Sequence, residues 1–555
     1  MRPRPAVRDV GPHCQSPDDF RDFRRPQVTH PSRRTVLRST AAAGALATVP
    51  ASALLWSRPA VAGTAGPEQV HLQYGNEPSR EMTISWASGA SVRRPRLRLG
   101  TAHGGFGHTF PARTRTYVDG LNKVETYTHH TRLHGLHPDT SYVYEIVHDG
   151  AAPVRGSFRT APGRERAPFR FTSFGDLGTG SASWSKSAIH GAAAVRQVER
   201  FNPLFHLLNG DLAYANNNQD QQPQCWNAFM NNMSVSARNR PWMPAPGNHE
   251  VEAGGGELGY ASYHARFDLP DNQSRDHCGN WYSFQVGSVL FLSVDGNDIA
   301  IEDDASVDPA TGRSVYISGY SEGAQLRWLE RTLARARTGR EVDWIVVSMH
   351  QFAMSSSAAS HGGDIGIREQ LLPLFDRYAV DLVLCGHDHD YERTHPVRGT
   401  DPGSLLRPSV VDDGLKEIDT SKGTVHLILG GGGTASHDDT YLGDSDGSGV
   451  SDAFVRTKRL PFKADPDAKE KATWSAVRDP DTAHPYGMAV FDVDPGRVPG
   501  GRTSITVSYY HSREATTADP FPTPVLFDRF TVHRNRRDGW SAHDHAAGAG
   551  VTTAR

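Results

Sequence analysis

Apolar residues fall into two rhythms along the chain. Between residues 67 and 160 they alternate with polar ones in short runs, "MTISWAS" (82–88), "RPRLRLG" (94–100) and "SYVYEIVHDG" (141–150), separated by Gly, Pro and Asp turns. A period of two places successive side chains on opposite faces of a strand, so this segment reads as an all-β unit. From about residue 168 short, almost wholly apolar runs take over: "FRFTSFG", "PLFHLLNG", "VLFLSVDG", "DWIVVSMH", "DLVLCGH" and "TVHLILGGGG". Between them lie stretches such as "GAQLRWLERTLARA" (323–336) and "IREQLLPLFDRYAV" (367–380), where Leu, Trp and Phe recur every three or four residues, as on one face of a helix. Strands interleaved with helices predict an α/β layered domain over 168–534. Residues 434–485 are polar and predict a long loop or lid. Apolar alternation returns in "YGMAVFDVD", "TSITVSYYH" and "VLFDRFTVHR", and residues 535–555 read as a disordered tail.

Composition changes this picture at one end. The 555 residues suit two or three domains, and the formal net charge of −3 favours no polyanionic partner, nucleic acid included. Residues 1–62, however, carry ten Arg and four Asp, leaving 49 basic and 58 acidic residues in the remainder. A basic head on an acidic body marks a targeting segment. Arg33-Arg34, a mildly apolar Ala-rich stretch and the small-residue site Ala60-Val61-Ala62 together resemble a bacterial twin-arginine export signal cleaved after Ala62. The apolar stretch is short and contains Pro50, which argues against a membrane anchor. The expected mature protein is exported, and of its cysteines Cys225 and Cys278 are free to pair while Cys385 sits in an apolar strand as a small hydrophobe.

Candidate chemistry gathers where the apolar runs end. Asp176 closes "FGDLG", Asp211 and Tyr214 close "NGDLAY", Asn248 and His249 lie in "PGNHE", His350 ends "VSMH", and His387 and His389 stand in "CGHDH". In open α/β sheets the loops at the carboxyl ends of the strands converge on one crevice. Glycines before Asp176, Asp211, Asn248 and His387 let the chain turn as the side chain is delivered. Oxygen and imidazole donors in this number exceed one open zinc site and suit two adjacent ions sharing a carboxylate. The histidines between 129 and 137 lack a carboxylate partner at a recognisable spacing and read as strand-edge and turn residues.

The ordered blocks GDLG, GDLAY, GNHE, VSMH and GHDH resemble the purple acid phosphatases, within the calcineurin-like metallophosphoesterases, whose pattern is GDxG, GDxxY, GNH[DE], VxxH and GHxH. The segment "LHGLHPDTSYVYEI" (133–146) is similar to the end of a fibronectin-type-III-like sandwich, which the larger members of that family carry in front of the catalytic domain. The resemblance spans about 67–530. It implies a layered β-sandwich flanked by helices, preceded by an all-β fibronectin-like domain over 67–160. It also implies that Asp176, Tyr214 and His389 hold Fe(III), that Asn248, His350 and His387 hold a divalent ion (Zn, Fe or Mn), and that Asp211 bridges them. Hard anionic donors favour a ferric ion, and imidazoles with a neutral amide keep the second ion divalent. His249 is left to bond phosphate or an adjacent carboxylate, and the expected substrate is a small phosphate ester. Plant-type members place two adjacent histidines downstream of VxxH. Here "HQFAMSSSAASHGGD" offers His361, which the resemblance makes a candidate proton donor to the leaving group. Two rivals differ in class: an exported phosphodiesterase of the alkaline-phosphatase-D type, whose pattern needs a cysteine beside a ligand block, and a non-catalytic surface binding protein with a relict site.

Overall fold

A computed structural model describes residues 66–539, except 180, 182, 184–187, 302–306, 309–312, 315–316, 359–361, 435–440, 458–467, 480–485 and 513–515. The twin-arginine segment and His361 therefore lie outside the described residues.

The alternation of residues 67–160 becomes two four-stranded antiparallel sheets. One has the order Glu68–Tyr74, Met82–Ser88, Glu125–Leu133, Arg113–Val118; the other runs Gly105–Pro111, Arg96–Thr101, Ser141–Val147, Val154–Arg159. Ile84, Trp86, Leu97, Leu99, Tyr144 and Ile146 point into the space between them. Met82–Ser88 is buried on both faces, because the outer face of its sheet packs on the following domain. There Arg115 and Arg132 pair with Asp268, Thr128 donates to the Ala265 carbonyl at 2.5 Å, and His130 Nε2 donates to it at 3.1 Å. His129 is held between Ser88 and Thr114. Burial pulls its imidazole down to about 3, which keeps it neutral and structural.

In the larger domain, two seven-stranded sheets pack face to face. The first has the order Trp242–Ala245, Phe205–Asn209, Phe169–Phe174, Gly487–Asp494, Arg502–His511, Val525–Asn535, Glu417–Asp419, and its first three strands are parallel. The second runs Tyr282–Val286, Val289–Ser293, Trp344–Ser348, Leu382–Cys385, Val425–Leu429, Tyr391–Thr394, Ser475–Arg478, with a parallel central block from Val289 to Leu429. Phe171 stacks on Phe491 at 4.4 Å and meets Phe291 of the opposite sheet edge-on at 5.1 Å. Each such buried aromatic contributes roughly 1.5–3 kcal/mol. On the far side of the second sheet Leu290, Leu292, Ile345 and Val347 cover Trp328, Leu329 and Leu333 of the helix Ala324–Thr338. The apolar runs of the sequence are therefore strands buried on both faces, and the parallel ones all end at one edge.

Two expectations need correcting, and the cysteine pairing left open by the sequence is settled. Residues 434–485 are not simply a long loop: Asp452–Arg456 pairs with Lys469–Lys471 and with Gly363–Asp364, and Ser475–Arg478 becomes an edge strand of the second sheet. Their polar sequence hides strands because Asp452–Arg456 and Ser475–Arg478 pair with segments far away in the chain. Residues 535–539 belong to the fold, since the Arg537 N–H donates to Asp343 and the Gly500 N–H to Asp538. Cys225 is free and buried, its thiol donating to the Ala213 carbonyl, so it does not pair with Cys278. Among the described residues no helix is long and apolar enough to cross a membrane.

Candidate metal centre

The carboxyl edges of the two sheets bring the five motif blocks together. His350 Nε2 lies 3.1 Å from Asp211 Oδ2 and 3.1 Å from His387 Nδ1. The donor atoms of Asp211, His350 and His387, all buried, stand within 4.8 Å of one another. Beside them, the Tyr214 hydroxyl lies 3.0 Å from Asp176 Oδ1 and 3.0 Å from His389 Nε2, which is itself 3.3 Å from Asp176. Two ligands of one transition-metal ion, each about 2.1 Å from it, stand about 3.0–3.4 Å apart in octahedral or tetrahedral geometry. The 3.1 Å separations about His350 and the 3.0–3.3 Å separations among Asp176, Tyr214 and His389 match that spacing, so these residues fit two cations. Asn248 opens the short turn Asn248–Glu250 and is buried, next to the glycine that packs on Asp211.

The local backbone is unusual where it delivers these donors. Asp176, Asp211, Tyr214 and His387 all have positive φ, of 63°, 51°, 54° and 78°. A left-handed non-glycine residue costs roughly 1–3 kcal/mol, and such conformations cluster at functional sites. The turn was expected to be made by the glycines in front of the ligands. Most of them serve instead to clear space: a Cβ on Gly386 would meet Asp176 Oδ2 at 2.5 Å, and one on Gly210 would meet His350 Nδ1 at 2.5 Å. Gly210, with φ of 82°, does both.

Buried groups hold the donors in place. The Glu250 carboxylate accepts the N–H groups of Asp211, Leu212 and Gly247 at 3.0, 2.8 and 2.8 Å, clamping the GDLAY and GNHE turns together. His350 Nδ1 donates to the Asn209 carbonyl at 2.8 Å, which leaves Nε2 facing Asp211 as the atom a cation would bind in place of a proton. His249 Nδ1 donates to Asn216 Oδ1 at 2.7 Å, and its ring packs on Tyr214 at 4.3 Å. Its Nε2 then points toward Asp211 Oδ2, 3.8 Å away. Glu250 and Asn216 were not assigned a role from sequence. The spacing of Gly247 to Glu250, that of a capping box, is the signal for the first.

The electrostatics describe a site that favours positive charge. Burial opposes ionisation of Asp211, but His350 and His249 hold its carboxyl below the usual range. Burial likewise pulls His350 down, yet Asp211 and Asp176 outweigh it and push the imidazole up to about 10. Burial together with Asp176 and Asp211 raises the Tyr214 phenol well above its ordinary value. A phenol among carboxylates gives up its proton readily only to a strong cation.

These features define the class: residues 169–391 match the family model described as calcineurin-like phosphoesterase, and the site is that of a dimetal phosphoesterase. Residues 67–160 match the purple acid phosphatase N-terminal domain, and the chain belongs to the purple acid phosphatases; it is an enzyme of the acid phosphatase type. An uncharacterized protein of Mycobacterium tuberculosis is 42% identical over 507 residues, covering 88% of this chain and 92% of its own. Human acid phosphatase type 7 is 28% identical over 390 residues, covering 67% of this chain and 79% of its own. The structure of purple acid phosphatase PPD1 from yellow lupin seeds shares the fold, with a TM-score of 0.59 and 20% identity over 86% of this chain and 76% of that one.

Proposed function

We propose that the protein hydrolyses phosphate monoesters at a binuclear centre and acts after export from the cell. Asp176, Tyr214 and His389 would hold Fe(III), Asn248, His350 and His387 a divalent ion (Zn, Fe or Mn), and Asp211 would bridge them. When bound, such a pair supplies activation of water near or below neutral pH and neutralisation of phosphate charge. The observation that carries this reading is the pair of neighbouring donor clusters, Asp211 with His350 and His387, and Asp176 with Tyr214 and His389. The protein's own residues contribute orientation and proton placement. With Nδ1–H fixed on Asn216, His249 presents Nε2 to the site, and once protonated there it donates to a phosphate oxygen. Glu250 keeps Asp211 and Asn248 in register through the N–H groups it accepts. His361 is proposed as the proton donor to a departing alkoxide.

The test is metal content together with turnover of a chromogenic phosphate monoester. Two ions per chain, one of them iron, with monoester hydrolysis supports the proposal. A metal-replete protein that cleaves only diesters would replace the substrate class, and one that cleaves neither would leave binding as the function.

A further inference from the structure

One strand end has no part in the centre described above. "VLFLSVDGND" (289–298) runs parallel to its ligand-bearing neighbour Trp344–Ser348 and stops at the same edge, yet supplies no metal donor. Asp295 instead caps the short turn Gly296–Asp298, accepting the Asn297 N–H at 3.0 Å. The hydroxyls of Tyr260 and Tyr320 donate to the same carboxylate at 2.9 and 2.7 Å. Backbone and cap together aim the Asn297 side chain between two loops that carry donors.

What that side chain does follows from hydrogen-bond chemistry. Asn297 Nδ2 lies 2.8 Å from the Gly247 carbonyl and 2.7 Å from the Tyr260 hydroxyl, and Oδ1 lies 2.7 Å from Gln351 Nε2. A carbonyl only accepts, so the Gly247 oxygen fixes which end of the amide faces it. Tyr260 gives its one proton to Asp295 and accepts from Asn297. Oδ1 is then left to accept from Gln351. Asn297 is 7% exposed, Gln351 2% and Tyr260 2%, so water does not substitute for these bonds. Gly247 immediately precedes Asn248, and Gln351 immediately follows His350.

We propose that Asn297 is a positioning residue for the divalent half of the centre, a buried amide bridge that fixes the spacing between Asn248 and His350. This rests on the reading that those two residues and His387 hold the divalent ion. The Asp176, Tyr214 and His389 cluster makes no hydrogen bond to the bridge among those described, so the direct bonds of the bridge reach only the loops that carry the divalent-ion ligands.

The experiment compares wild type with Asn297→Ala, Gln351→Met and the double variant. It reads iron per chain, the visible tyrosinate–iron band, and the Kd of the divalent ion by chelator competition. Loss of a group that orients metal ligands typically weakens affinity about 10–100-fold. Each single variant should keep its iron and its band while the divalent Kd rises by that factor. The double variant should be no more than about twofold worse than either, because both substitutions break one bridge. A divalent Kd within about twofold of wild type in both single variants, even with a lowered Tm, would make Asn297 a core brace and overturn the proposal. So would equal loss of both ions. Gln351→Met leaves the Gly247 bond intact and keeps the test open if Asn297→Ala fails to fold. A wild type that binds no divalent ion overturns the metal reading instead, and the bridge with it.

Discussion

At the scale of single residues, Asp211 occupies the position on which the rest of the centre turns. One carboxylate oxygen faces His350 and His249, and the other accepts the His249 N–H at 2.9 Å. If it serves two ions, Asp211→Ala should abolish turnover and release both, measured as metal per chain on the purified variant. Two ions retained would end the bridging assignment. Tyr214→Phe makes a narrower cut: the ring still packs on His249, but the hydroxyl between Asp176 and His389 is gone. Loss of the visible charge-transfer band is expected, and an unchanged spectrum would mean that the phenol does not hold the iron. These residues were legible in the sequence because each ends an apolar run, and a parallel sheet carries such ends to one edge. Asn297 was not legible, and Glu250 was legible only as a local capping spacing, not in its hold on the Asp211 turn. The bonds from Asp211 and Leu212 to Glu250, and from Asn297 to Gly247, join turns distant in the chain, and that pairing exists only once the sheets have assembled.

At the scale of elements, the strands buried on both faces announced themselves, whereas the segment 434–485 did not. Two of its strands pair with Gly363–Asp364 and with Tyr391–Thr394, far away in the chain, so no local pattern marks them. The attachment has an identifiable core. Arg368, fully buried, donates from Nη1 and Nη2 to Glu470 at 3.0 and 2.5 Å, from Nε to the Ala353 carbonyl at 2.7 Å, and from Nη1 to the Leu405 carbonyl at 2.9 Å. That guanidinium joins the segment to the chain that follows ligand His350. Removing one partner of a buried ion pair leaves the other charged and unsolvated, at a cost of about 3–5 kcal/mol. Arg368→Ala should lower the unfolding free energy by that order in a denaturant titration and speed proteolytic cutting within 434–485. Glu470→Gln, which keeps acceptor and shape, should cost less. Equal and small effects from both would show that the segment is held elsewhere.

At the scale of the whole molecule, export and acid stability are the conditions to test. Replacing Arg33-Arg34 with Lys-Lys should strand folded precursor inside the cell, seen by fractionation, and undiminished export would favour the general secretory route. Acid itself is the harder condition, because the sheets bury imidazoles that charge in the unfolded chain. His426, 5% exposed in the strand Val425–Leu429, faces Leu372, Phe375 and Val397, with Asp376 and Arg398 nearby. Its Nε2 has no hydrogen-bond partner among the described residues. Burial therefore pulls the imidazole down to about 3. The unfolded chain takes up its proton near the ordinary value, about 6.5. The sign follows: the folded state binds fewer protons, so the stability His426 contributes is complete above about pH 6.5 and is lost as pH falls toward 3. The loss is about 1.4 kcal/mol per pH unit inside that window. His264, pulled down to about 4 by burial, adds a slope of the same sign. His426→Leu should therefore flatten the fall in unfolding free energy between pH 6.5 and 4.5 by about 1.4 kcal/mol per unit, read from denaturant midpoints at several pH values. Parallel curves for wild type and variant would mean that His426 takes up its proton as readily in the folded protein as in the unfolded chain. Were that so, Asp376 would be the group to test next, since it is the carboxylate that lines the same cavity.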